Sequence, residues 1–288
     1  MYSKIIKDIN EYIKSQGLEN YIKNWEELEN CNFNNLEEFK KTLQKSLQKY
    51  HKHSFIINSN ILDINETLEN QRPPLFFWDK KNKIGRIVFY QYIMSANEIL
   101  NQKSERLLID ITHYYLNYWI NKDMKGLIID LRSHTGGNFY PFTMAMTPIL
   151  GRTTLFAWSK SKVKYDDKHW ISFNKNMELE NEQYYYSKEL SFKKPIAVLL
   201  SKKTASAGEF SASIFYGREN VKFFGERSKG LFSVNDTVNI NNELSFAIPS
   251  KLTTTIDGSF HEKEYLEVDL QTKSPVKDAK KWISLKKN

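Results

Sequence analysis

Two short, unbroken apolar runs constrain this 288-residue chain more than anything else in it: Leu127-Ile128-Ile129, opened by Gly126, and Ile196-Ala197-Val198-Leu199-Leu200, opened by Pro195. A strand with one wet face alternates apolar and polar residues, whereas an unbroken run between charged residues suits a strand covered on both faces. Each run leads into a Gly-containing turn and then into a segment with helical spacing. Strand, turn and helix repeated in this way predict an α/β fold with a βαβ core and a mostly parallel sheet, and functional residues are expected at the carboxyl ends of its strands.

Around that core the periodicity changes. Ile5, Ile6, Ile9, Tyr12 and Ile13 recur at helical spacing, with Gly17 as a stop. After Asn34 and Asn35 as caps, Leu36, Phe39, Leu43 and Leu47 form one apolar stripe, which should deliver His51 and His53 at its C-terminal edge. The stretch Asn58 to Asn70 is polar, and Pro73-Pro74 enforces an extended entry into Leu75-Phe76-Phe77-Trp78. A domain boundary is placed there: residues 1–78 as an N-terminal helical region, 79–288 as the core domain. Ile84 to Tyr92 reads as a strand, Ala96 to Ile120 as a helix, and Val221 to Ile256 as further strands. Arg152 to Phe192 has no clear period and is read as a cap-like insertion.

Composition excludes several classes. No apolar run approaches the roughly 20 residues needed to cross a bilayer, and charges interrupt the N-terminal segment, so neither a membrane span nor a signal peptide is expected. Read as written, the chain is expected to be cytoplasmic, with an extracytoplasmic place as the alternative if an N-terminal anchor has been removed from the sequence. The net charge of +8 is spread over lysines that neighbour Asp and Glu, which describes a solvated surface better than a nucleic-acid groove. The single cysteine, Cys31, cannot form an internal disulfide and reads as a small, half-buried residue. No His, Cys, Asp and Glu cluster shows metal-ligand spacing, and no cofactor is expected.

The chemistry concentrates in two turns. Asp130-Leu131-Arg132-Ser133-His134-Thr135-Gly136-Gly137-Asn138 follows the first buried run, and paired glycines let backbone N–H groups approach a ligand closely. Thr204-Ala205-Ser206-Ala207-Gly208-Glu209 follows the second. A serine on a strand-to-helix turn can present its Oγ at the top of a sheet, beside amides able to receive a developing oxyanion. The same residues also read as a plain capping box, with Ser206 as N-cap and Glu209 at the third helical position.

In order, spacing and type, these two turns together with Gly225-Glu226-Arg227-Ser228-Lys229-Gly230 resemble the tail-specific, C-terminal-processing serine peptidases over about Ile84 to Asp269. Gly137-Asn138-Phe139-Tyr140-Pro141 and His53-Ser54-Phe55 resemble the compact branch that includes the nisin resistance proteins. The resemblance implies a ClpP/crotonase-like core, a peptide or protein substrate, Ser206 as nucleophile, and oxyanion donors at Ala207, Gly136 and Gly137. His134 and Asn138, within the glycine turn, are placed as substrate-binding. A PDZ insert, usual in many relatives, has no room between Ser54 and Ile84.

One departure matters. Relatives with a Ser-Lys dyad carry a lysine after the glycine of the third motif, and Leu231 stands there; Lys229 precedes Gly230 instead. The general base is then expected to be histidine, whose ordinary pKa suits proton removal at neutral pH. His53 is preferred for its Lys-His-Ser-Phe context and its place after a helix, with His51 and Lys229 as alternatives; a plain helix-terminal histidine is the rival reading. Glu209 is the candidate to orient the imidazole, Asp130 to brace the glycine turn and Arg132 to pair with a carboxylate. His113, His169 and His261 are read as surface or core residues. A non-catalytic peptide-binding protein and a small-ester hydrolase are the competing functions.

Overall fold

The computed structural model describes residues 2–17, 28–58, 72–95, 97–159, 169–173, 179–182, 187, 189–241, 244–258 and 264–286. Two compact units share the chain: Met1–Leu62, Trp158–Lys168 and Ser233–Thr253 form the first, and Asp63–Ala157, His169–Phe232 and Thr254–Asn288 the second. The N-terminal helices therefore share their unit with a strand pair from far along the sequence.

In the first unit, α1 (Tyr2–Gln16) and α2 (Leu36–Tyr50) bury the faces their spacing predicts. Asn35 caps α2, its side chain accepting the Glu38 N–H at 2.9 Å. Ile5, Ile6, Ile9, Ile13, Phe39, Leu43 and Leu47 pack against Leu244, Phe246 and Ile248. These last three lie on β11 (Leu244–Thr254), which pairs antiparallel with β1 (Phe55–Asn58) and β10 (Ser233–Asn241). Cutting Phe39 or Leu43 to Ala would remove a fully buried side chain, at about 2–5 kcal/mol.

The second unit is built on a six-stranded sheet, ordered β12 (Leu270–Gln271), β9 (Val221–Gly225), β8 (Ile196–Leu200), β4 (Gly126–Gly137), β3 (Ile84–Tyr92) and β2 (Leu75–Asp79). Neighbours run parallel except β2 on β3. One face, with Ile84, Ile128, Ala197, Leu199 and Phe224, is covered by Ala279 and Ile283 of α7 (Pro275–Leu285). Elsewhere Trp119 of α3 (Glu98–Asn121) stacks on Trp78 of β2 at 5.9 Å, and α6 (Ala207–Ser213) packs on β4. The α/β fold with its mainly parallel sheet is as the apolar runs predict.

Three details differ from expectation. The glycine turn is drawn into β4, which stays paired with β3 as far as Tyr92 opposite Gly137, through two irregularities of register. The segment read as aperiodic holds β5 (Thr154–Ser159) and an antiparallel pair, β6 (His169–Phe173) with β7 (Leu179–Glu182). Cys31 is exposed rather than half-buried. The remaining helices, α4 (Tyr140–Ala145) and α5 (Thr147–Leu150), are short and carry Pro in their first turns. No described helix is long and apolar enough to cross a membrane.

Candidate active site

Ser206 ends the loop that leaves β8, as the N-cap of α6, with φ 50° and ψ −118°. A residue bearing a Cβ occupies that region only under constraint. The constraint is visible in the bonds around it. Ser201 Oγ donates to the Arg132 carbonyl at 2.7 Å, Thr204 Oγ1 to the Leu131 carbonyl at 2.9 Å, and Ala205 N–H to the His134 carbonyl at 3.1 Å. The loop is thus bolted to β4 on one side. On the other, the Lys229 N–H donates to the Thr204 carbonyl at 2.8 Å. The Ser206 side chain remains half-buried rather than enclosed.

The glycines lie against this turn. A Cβ on Gly136 would stand 3.6 Å from Ser206 Cβ, so the two motifs that the sequence separates by 70 positions meet here. Gly137 has φ 100°, and any Cβ there would collide with the Tyr92 carbonyl oxygen. Only glycine fits. The Ala207 N–H, at the first position of α6, belongs to the helix-start donors that have no intrahelical acceptor. Asn138 is engaged locally: its N–H donates to the Tyr92 carbonyl at 2.7 Å and its Oδ1 accepts the Tyr140 N–H at 2.9 Å.

His134, expected to touch substrate, is 1% exposed, and among the described residues its Nδ1 has no hydrogen-bond partner. Its ring lies edge-on to Phe142, and burial pulls its pKa down to about 4. The ring is therefore neutral and part of the packing beneath the turn, out of reach of a ligand at the surface.

Glu209 does cap the turn. It is fully buried, and its carboxylate accepts the Ser206 N–H at 2.9 Å, the Gly230 N–H at 2.8 Å, the Leu231 N–H at 2.7 Å and the Ser228 hydroxyl. Burial pushes its pKa up, against these bonds, which pull it down. All four donors belong to the second unit, so the carboxylate braces the third motif onto the serine turn. Lys229 points into solvent and Leu231 is half-buried.

His53 belongs to the first unit, where it is 5% exposed and its Nδ1 lies 3.0 Å from Ser233 Oγ. Its backbone is held as well: the N–H donates to His51 Nδ1 at 3.1 Å, and the carbonyl accepts from Asn235 Nδ2 at 2.9 Å. His51 caps α2, as the stripe predicts. His113 binds the Met144 carbonyl and Thr147, a packing role. His261 and the side chain of His169 lie outside the described residues.

Asp130, buried on β4, is gripped in a fork by Arg132, with Nε to Oδ1 at 2.8 Å and Nη2 to Oδ2 at 2.7 Å, and is met by Arg86 at 3.2 Å. Sequence reasoning anticipated that Arg132 pairs with a carboxylate; Arg86, on the neighbouring strand β3, carried no signal of its contact. It equally missed Ser228, Tyr92 and Ser233, whose roles come from main-chain proximity or a single hydroxyl. Among the described residues no group of His, Cys, Asp and Glu is placed to hold a metal ion.

Comparison with known proteins bears on the family and the fold. Over 166 residues the chain is 33% identical to the nisin-resistance protein of Lactococcus lactis subsp. lactis, covering 55% of this chain and 49% of that one. The match therefore spans about half the length of that relative. A lipoprotein structure from Streptococcus agalactiae superposes with a TM-score of 0.76 at 24% identity, covering 98% of this chain and 96% of the other. The photosystem II D1 C-terminal processing protease gives 0.57 at 9% identity, covering 99% and 98%. These two likenesses concern the fold. Residues 95–272, which contain both turns and the third motif, match the profile of peptidase family S41, and the chain belongs to that family.

Proposed function

We propose that the chain is a serine-type peptidase that hydrolyses peptide bonds through an acyl-enzyme on Ser206, with His53 as general base. His53 takes the hydroxyl proton as Ser206 Oγ bonds to the carbonyl carbon. The N–H groups of Ala207 and of the Gly136-Gly137 segment hold the oxyanion. The imidazolium returns its proton to the departing amine; a water, deprotonated in turn, then releases the acid.

The observation that carries this reading is the Ser206 backbone at φ 50°, a strained arrangement that a mere helix cap does not need. Support for a histidine rather than a lysine comes from Leu231 at the expected lysine position and from Lys229 in solvent. Peptide hydrolysis and fluorophosphonate labelling test it together. Ser206→Ala and His53→Ala should each lower hydrolysis by more than about 1,000-fold, and Lys229→Ala should leave it unchanged.

The same absent lysine favours one second reading, a peptide-binding protein without turnover. That reading wins if the wild-type chain binds peptide yet Ser206 takes up no fluorophosphonate. For the assay, a lantibiotic-like cationic peptide is the class that the nisin-resistance likeness suggests, although a net charge of +8 supplies no attraction for it.

A further inference from the structure

An imidazole that acts as base needs its other nitrogen held, and Glu209, the carboxylate expected to do so, is fully occupied by four donors of its own unit. The Nδ1 of His53 is met by a hydroxyl. Ser233, the first residue of β10, is 0% exposed, and its Oγ lies 3.0 Å from His53 Nδ1. The neighbouring Asn235 binds the His53 carbonyl, so one strand end grips both ring and backbone.

We propose that Ser233 is a positioning residue: its Oγ accepts the Nδ1–H of His53 and so selects the tautomer whose Nε2 carries the lone pair. The inference rests on His53 being the base. Two tautomers are compatible with a 3.0 Å contact, because a hydroxyl can donate or accept. If Ser233 donated to Nδ1, the proton would sit on Nε2 and the ring could take none from a serine through that atom. With Ser233 accepting, the same bond serves the neutral ring and the imidazolium, and proton uptake at Nε2 requires no turning of the ring. A neutral hydroxyl aims the ring without the charge stabilisation a carboxylate would add to the imidazolium.

The test uses the whole chain. Nitrogen-15 spectra of the His53 ring at neutral pH should show a protonated Nδ1 and an unprotonated Nε2 in wild type. Ser233→Ala should show mixed tautomers, with kcat lowered about 10- to 100-fold and KM little changed; Ser233→Thr, which keeps the hydroxyl, should restore both. A wild-type ring protonated on Nε2 overturns the proposal. So does a Ser233→Ala protein, folded by circular dichroism, that keeps wild-type kcat while His53→Ala is inactive. Full activity in His53→Ala instead sinks the choice of base, a separate failure that the ring spectra, which need no turnover, keep distinguishable.

Discussion

The amide N–H of Ser206 donates to Oε2 of Glu209 at 2.9 Å, and the same oxygen takes the Leu231 N–H at 2.7 Å. One buried carboxylate therefore joins two loops through their main chains. Replacing Glu209 by Gln turns an acceptor into a donor that faces donors. The expected cost is about 2–3 kcal/mol in urea denaturation, with loss of hydrolysis because the serine turn relaxes. Unchanged stability would show that the carboxylate is not the brace.

Strain at Ser206 predicts a difference in stability with no counterpart in activity. Glycine tolerates φ 50° where alanine does not. Ser206→Gly should exceed Ser206→Ala in stability by about 1 kcal/mol, while both are inactive. Differential thermal unfolding of the two variants decides it.

Space predicts a third effect. A Cβ on Gly208 would collide with the His134 carbonyl oxygen, which already accepts the Ala205 N–H. Gly208→Ala should lose about 2–3 kcal/mol by denaturation, because backbone rather than a flexible side chain must move.

His134 predicts a pH dependence. Its pKa falls from 6.5 to about 4 on burial, so the unfolded chain binds the extra proton first. The native state keeps this stability above pH 6.5 and loses it as pH falls from there towards 4, by about 3 kcal/mol at most. His134→Leu removes the titration. Its unfolding free energy should fall less than that of wild type between pH 7 and pH 4.5.

Much of this was legible in the residues. The helix stripes through Phe39, Leu43 and Leu47, the cap at Asn35 and the two buried strands follow from period and capping alone, because local spacing decides which face is apolar. That Gly136 and Ser206 meet was legible only through motif order, since no local rule joins positions 70 residues apart. The partners of Glu209 were hidden for another reason. Gly230 and Leu231 contribute main-chain N–H groups, which every residue but proline has, so side-chain identity announces nothing. Ser233 begins a strand as any small polar residue might begin one, and its contact with His53 is tertiary. The continuation of β4 through Gly137 went unseen because glycine pairs ordinarily argue for a turn, and here ladder pairing with β3 overrides that preference.

The backbone conformation at Ser206 has a consequence for when the chain can become reactive. Nothing in Thr-Ala-Ser-Ala-Gly favours a positive φ, so the hydroxyl takes its presentation from distant partners: the carbonyls of β4, the Glu209 carboxylate and the Gly136 backbone. A nascent or denatured copy holds the same amino acids in an ordinary, unarmed form. On the proposed reading of Ser206 as nucleophile, its reactivity would arrive with assembly of the sheet and vanish with its melting.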